Sequence, residues 1–265
     1  MGSGLGRYGD SAVTEVYDQR LAPAADLEAR LRAIGEERYH HRHPFHQLMH
    51  EGKLTRGQLQ AWALNRYYYQ SIIPMKDALI LARCEDSAFR RIWRKRIVDH
   101  DGDGTGGPGG IEKWIRLAEA AGLDRQRVVL GKEILPGVRY AVNAYLDLVS
   151  KRSFLEAVAS SLTELFSRDL IALRVDRLRR HYPWLSGGLG YFDARLTQAP
   201  EDAQFALAWV IEHANTPVEE EHALAALSTK CDILWAQLDA IYCAYVAPGW
   251  PPPGAFRPEP EDKPV

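Results

Sequence analysis

The chain has 265 residues, 46% of them hydrophobic, with 33 Lys and Arg against 35 Asp and Glu, a net charge of -2 and a pI near 6.5. That length buries a sizeable core as one large domain, and basic residues scattered along the chain exclude the footprint of a nucleic-acid binder. No apolar run suits a membrane span, no signal peptide opens the chain, and Cys84, Cys231 and Cys243 lack C-x-x-C spacing in apolar helical contexts; reduced, core-like thiols and a cytoplasmic location are expected.

In chain order, residues 1–24 read as a flexible N-terminus, 25–247 as a single helical domain, and 248–265 as a tail, since seven of its eighteen residues are proline. Apolar periodicity predicts helices over 25–38, 42–51, 55–83 with a bend before Pro74, 87–100, 110–121, 135–150, 153–181, 189–197, 201–214 and 217–246. Start signals support them. Thr55 with Gln58 and Ser153 with Glu156 form capping boxes, and Thr216-Pro217-Val218-Glu219 places cap, proline and acid in order. Strand signals are nearly absent, so the expected fold is an all-α compact bundle with a central ligand cavity.

Several helices carry polar residues where a buried helix would carry leucine. Arg66, Tyr69, Gln70, Ile73 and Lys76 share one face of the 55–83 helix, whose other neighbours are Trp62, Leu64, Ile72, Leu79 and Ile80. A second stripe, Ser160, Thr163, Glu164, Ser167, Ile171 and Arg174, lies on 153–181, and Tyr145, Tyr191 with Arg195, and Lys230 add to it. Buried cations need anions, so these faces read either as an internal ion-pair network or as the walls of a pocket for an acidic ligand. His100 ends the helix that also carries Arg96. It reads as a C-terminal cap or as a proton donor and acceptor, with its pKa raised by the helix dipole. The glycine-rich stretch after it, Gly102 to Gly110, lacks the residues of a phosphate loop or an EF-hand and reads as a mobile loop.

A metal reading has Glu219 with His222 at Glu-x-x-His spacing, in a helix first turn where acids are expected anyway, and the cluster His40-His41-Arg42-His43-Pro44-Phe45-His46. No Rossmann, nucleophile-elbow or cysteine-centred motif is present.

The strings Tyr39-His40 with His43-Pro44-Phe45-His46, Trp62-Ala63-Leu64-Asn65-Arg66-Tyr67-Tyr68-Tyr69-Gln70, Ile73-Pro74-Met75-Lys76-Asp77, Arg96-Ile97-Val98-Asp99-His100-Asp101-Gly102, Ser160-Ser161-Leu162-Thr163-Glu164-Leu165-Phe166 and Cys231-Asp232-Ile233-Leu234-Trp235 resemble the pyrroloquinoline-quinone synthase family over roughly residues 30 to 247. The resemblance implies a haem-oxygenase-like fold, a homodimer, and an oxidase with no metal or organic cofactor. It further implies O2-dependent ring closure and oxidation of a tricarboxylate quinone precursor to pyrroloquinoline quinone (PQQ), with release of H2O2.

Carried over by position, Tyr39, His40, Arg66, Tyr69, Gln70, Lys76, Arg96, Tyr145, Arg174 and Lys230 would hold substrate. His100 would be the general base or acid, Tyr191 and Arg195 would surround oxygen, and Glu164 would be a buried acid of the same cavity. Ile171 departs from the family, whose other members carry a histidine there. The tail resembles a linker to a small peptide-chaperone domain that some members carry fused. Competing readings are a haem-oxygenase-like di-iron oxygenase using Glu164, Glu219, His222 and the His40 region, a non-catalytic PQQ carrier, and a thiaminase-like hydrolase needing a cavity cysteine.

Overall fold

The computed structural model describes residues 24–105 and 107–259; the expectations for residues 1–23 and for the chain end from 260 lie outside the described residues. Every regular element among the described residues is helical. The helices are α1 (Ala24–Arg38), α2 (Pro44–His50), α3 (Arg56–Ala82), α4 (Ser87–Trp93), α5 (Lys95–Asp101), α6 (Gly110–Ala120), α7 (Arg125–Leu130), α8 (Pro136–Lys151), α9 (Phe154–Ala159), α10 (Ser167–His181), α11 (Gly190–His213) and α12 (Pro217–Tyr245). Three 3-10 segments, His40–Arg42, Ser160–Phe166 and Pro183–Gly188, join them.

Both predicted capping boxes form, at Thr55 with Gln58 and at Ser153 with Glu156, and Thr216 accepts from the Glu219 amide. α12 buries one broad face against α1, α3, α8, α9 and the 160–166 segment and leaves the stripe of Glu221, Ala225, Asp232, Asp239 and Cys243 exposed. α3 runs unbroken through Pro74 along the same core.

The departures have local causes. The predicted 87–100 helix loosens at Arg94, which keeps helical dihedrals while closing α4 and opening α5. The predicted helices 189–197 and 201–214 are one, α11. α7 was not predicted, although Asp124 caps its start and Gly131 ends it at φ 57°, because six residues are too few to show periodicity.

The predicted 153–181 helix is three elements. Ser160 Oγ donates to the Ala157 carbonyl at 2.7 Å, and the chain tightens into 3-10 geometry from there to Phe166. Of the cysteines, Cys231 is buried as expected, Cys84 is half-buried after α3, and Cys243 is exposed, contrary to the core-like reading.

The tail corrects a second expectation. Residues 248–259 do not hang free: Phe256 is 2% exposed, its amide donates to the Glu133 carbonyl at 3.1 Å, and its carbonyl accepts from the Tyr245 hydroxyl at 2.9 Å. Arg127 lies over the Phe256 ring at 4.6 Å. Proline prevents this stretch from being a helix, but extended chain carrying one aromatic anchor docks without one.

Candidate active site

Helices α2, α3, α5, α6, α8, α10, α11 and α12, with the two 3-10 segments around 40 and 163, enclose a cavity of about 110 Å³. Twelve of the fourteen predicted site residues line it: Tyr39, His40, Arg66, Tyr69, Gln70, Lys76, His100, Tyr145, Glu164, Arg174, Tyr191 and Arg195. The α3 stripe arrives whole, Ile73 included, because helical spacing alone sets it. The second stripe is rearranged. In 3-10 geometry residues three apart eclipse, so Ser161 and Glu164 face the cavity with Thr163, while Ser160 is occupied with Ala157.

Arg96 and Lys230 stand behind the wall. Lys230 Nζ donates to the Tyr69 hydroxyl at 2.7 Å and lies 3.5 Å from the Tyr145 ring centre and 4.3 Å from that of Tyr69, two rings stacked within 8° of parallel. Burial first, then the charges of Arg66 and Lys76, push the Lys230 pKa well below that of an ordinary lysine. Arg96 lies over Trp93 at 4.4 Å and pairs with Glu164.

One end of the cavity is charge-balanced. Asp77 Oδ1 accepts from Lys76 Nζ at 2.5 Å and from Trp93 Nε1 at 2.9 Å, with Arg96 Nε 3.7 Å away. Glu164 also meets Arg195 at 2.8 Å, and Asp202 lies 3.5 Å from Arg195. Burial opposes the Arg195 charge, but Glu164, Tyr191 and Asp202 outweigh it and raise its pKa. Burial and the neighbouring Glu164 push Asp202 up to about 6.

The other end is not balanced. Among the described residues no carboxylate pairs with Arg66, Arg174 or Lys230. Arg66 has Gln237 Oε1 at 3.3 Å and the face of Tyr69 at 3.9 Å; Arg174 has His46 Nδ1 at 3.2 Å and the Phe192 ring at 6.0 Å. Burial, partly offset by Tyr39, lowers Arg174 to about 10, so it stays charged at neutral pH. Tyr39 in turn is pushed up to about 12 by burial and is held as the neutral phenol.

His100 overturns the expectation of a raised pKa. Burial, then the Arg195 charge, lower it to about 4, which outweighs any helix dipole. Its Nδ1 lies 3.1 Å from the Arg96 carbonyl, an acceptor only, so Nδ1 carries the hydrogen and Nε2 keeps its lone pair. A neutral imidazole with a bare nitrogen is a ready proton acceptor. The following loop is packed at its base, where a Cβ on Gly109 would stand 2.5 Å from the His100 carbonyl. Across the cavity the Tyr191 hydroxyl donates to Gln70 Oε1 at 3.0 Å.

Sequence reasoning missed Asp77 and Asp202 as counter-ions, and His46, Gln237, Ser161 and the Trp62, Trp114 and Phe192 walls as lining or support. Asp77 was visible beside Lys76, and Asp202 follows Arg195 on α11; the rest depend on pairings across the bundle. The competing metal set does not assemble. Glu219 accepts from the Asn215 amide and the Thr216 hydroxyl at the start of α12, His222 is exposed, and neither lines the cavity with Glu164 and His40. No cysteine lines the cavity, so the thiaminase-like reading has no nucleophile there.

The TENA/THI-4/PQQC family model matches residues 28–240. A pyrroloquinoline-quinone synthase of Acidiphilium cryptum is 58% identical over 232 residues, covering 87% of this chain and 94% of that protein. One of Xanthomonas oryzae pv. oryzae is 57% identical over 234 residues, with 88% and 93% covered. The bifunctional coenzyme PQQ synthesis protein C/D of Methylorubrum extorquens is 56% identical over 242 residues, covering 91% of this chain and 65% of that protein. Among solved structures, a Shewanella denitrificans domain with a heme oxygenase-like fold superposes with TM-score 0.72 at 14% identity, covering 90% of this chain and all of that one. A TenA homologue from P. horikoshii reaches 0.66 at 12% identity, over 82% of this chain and 98% of that one. At such identities these structures speak for the fold, which is haem-oxygenase-like.

Proposed function

This chain belongs to the TENA/THI-4/PQQC family, and from that premise we propose that its cavity performs the final oxidation of pyrroloquinoline quinone biosynthesis. The chain is an enzyme of the oxidoreductase class acting at that last step. The observation that carries the reading into the site is the set of basic groups Arg66 and Arg174 on the cavity wall and Lys230 behind it, none of them paired with a carboxylate among the described residues. A tricarboxylate precursor supplies the missing charges, and Tyr39, His40, Tyr69, Gln70, Lys76 and Tyr145 complete its holding set, with Arg96 behind the wall holding Glu164. The balanced end keeps its own carboxylates and is left to oxygen, with Tyr191 and Arg195 beside Glu164.

In this reading His100 Nε2 removes a proton from the bound precursor, and the resulting reduced quinol anion gives two electrons to O2. With two protons the oxygen leaves as H2O2. The substrate is itself the redox centre, so the protein has to deprotonate, orient and stabilise charge, and the reading calls for no metal or organic cofactor. We place residues 25–247 as one catalytic domain acting as a homodimer in the cytoplasm. No helix among the described residues is long and apolar enough to cross a membrane. The bifunctional C/D name of the Methylorubrum relative, 65% of which this chain covers, supports a partner domain for this chain, fused or separate, which the family resemblance reads as a small peptide chaperone.

The test is absorbance after mixing with the immediate precursor, first without oxygen and then with it: wild type converts it only on aeration, whereas a carrier binds and stops. His100→Ala binds the precursor and slows the oxidation by ~10²–10⁴, the loss typical of a positioned general base. Turnover at the parental rate in that variant sinks the assignment.

A further inference from the structure

His46 lies on the cavity wall, 2% exposed, and has no part in the reaction as drawn above. Its Nδ1 is caught between two demands: the His40 carbonyl oxygen lies 3.0 Å away and Arg174 Nη2 lies 3.2 Å away. A carbonyl only accepts and a guanidinium only donates, so one ring nitrogen satisfies one of them and leaves the other wanting. Arg174 Nε also lacks a hydrogen-bond partner among the described residues. His50 stacks behind His46, with ring centres 6.3 Å apart and planes within 13°, and is partly exposed; its buried Nε2 has no partner either. On the cavity side the His40 ring is 4.9 Å from His46. Three imidazoles therefore run from the cavity wall toward the surface with Arg174 beside them.

We propose that His46, backed by His50, is a second proton-accepting group of this cavity, one that becomes charged when a substrate carboxylate draws Arg174 away from it. The proposal rests on the reading that the ligand carries carboxylates. A carboxylate meets the guanidinium's donors in its preferred forked geometry, which frees His46 Nδ1–H to serve the His40 carbonyl alone and leaves Nε2 to take a proton.

The surrounding charges set the sign. His46 faces Arg174, His40 and His50; His50 faces Arg174, Arg177 and His41; His40 faces Arg66, Arg174, Lys230 and His41. Glu164 is the acid of this wall, and its carboxylate is engaged by Arg96 and Arg195. The site's own charges are thus cationic around His40, His46 and His50 and favour their neutral forms. A polycarboxylate reverses that field where Arg174 stands. Substrate binding then brings a proton into the cavity wall at His46, a group distinct from the His100 that removes one.

PQQ is the probe, because its carboxylates are ionised well above pH 5 and do not themselves take up protons. Calorimetry near pH 6, in two buffers of different ionisation enthalpy, is expected to show net proton uptake on binding. Affinity should then weaken as pH rises from 6 to 8, by up to about tenfold per pH unit for each proton fully taken up. His46→Gln removes most of the uptake, whereas His100→Gln leaves it in place. Imidazole resonances of the wild-type enzyme provide a reading that needs no variant: the His46 ring is neutral at pH 6 in the free protein and charged in the complex.

Failure to bind PQQ overturns the proposed function and this inference with it. Tight binding without proton uptake, uptake unchanged in His46→Gln, or a His46 ring that stays neutral in the complex overturns this inference alone.

Discussion

Arg66 shows how a single side chain divides between structure and function. Its guanidinium rests on the Tyr69 face at 3.9 Å and reaches only an amide oxygen, so its charge is oriented but not neutralised. Arg66→Ala therefore leaves the fold intact and weakens PQQ binding tenfold or more, since a charge-assisted contact to a carboxylate is worth about 1.5–3 kcal/mol. Lys230→Ala has the same direction but works partly through Tyr69 and Tyr145, whose stacked pair loses the ammonium that its rings face. Titration of both variants by absorbance decides the matter; affinities equal to the parent would put the carboxylate site elsewhere. Ile171 is a gentler case. It lines the cavity and packs on the core, so Ile171→His is expected to fold and turn over with an altered oxygen-dependent phase, read by rapid mixing at varied O2. A variant that is inactive or unfolded would show that the apolar wall is required at this position.

At this scale the sequence was legible where spacing alone decides, as along Arg66 to Lys76. It was misleading where a local cue met a tertiary one. The helix end at His100 argued for a raised pKa, yet burial and Arg195, a residue 95 positions away, set the opposite sign. Gln237 and His46 could not be assigned because Arg66 and Arg174 lie on other helices, and Asp202 because the sequence reading split α11 between it and Arg195.

Among the elements, the 160–166 segment and the tail carry the lessons. Periodicity cannot separate a 3-10 turn from an α-helix when both ends continue as helix, so Ser160 stood where Ser161 belongs. Gly35 on α1 makes room for this segment's last residue, since a Cβ there would come within 2.2 Å of the Phe166 ring. The tail was read from its prolines as a tether, and one aromatic defeats that reading. Phe256→Ala removes a fully buried ring together with its packing on Arg127, which is expected to cost about 3–5 kcal/mol. In a chain of this size that lowers the melting temperature by roughly 5–15 °C. A melting curve unchanged by the substitution, followed by calorimetry, would return the tail to the status of a linker.

For the whole molecule, the cost of a cationic cavity lined with imidazoles is sensitivity to acid. Burial, reinforced by Arg195 at His100 and by Arg174 at His46 and His50, holds these histidines below their ordinary value, to about 4 for His50 and His100 and well below it for His40 and His46. The unfolded chain binds protons at these rings near pH 6.5 and the folded chain does not, so unfolding takes up protons and stability falls as pH drops from about 6.5 toward 4. Each fully buried ring contributes on the order of 1.4 kcal/mol per pH unit in that window. Asp202, raised to about 6, has the opposite sign, because its neutral form suits the fold better, but it is one group against several. The expected profile is a melting temperature steady above pH 7 that drops steeply below 6. Bound PQQ should flatten it by supplying carboxylates that make the charged imidazoles tolerable. A melting temperature that stays level down to pH 4.5 in the free protein, measured at constant ionic strength, would show that these rings are already met by other charges and that the cavity is not the cationic site described.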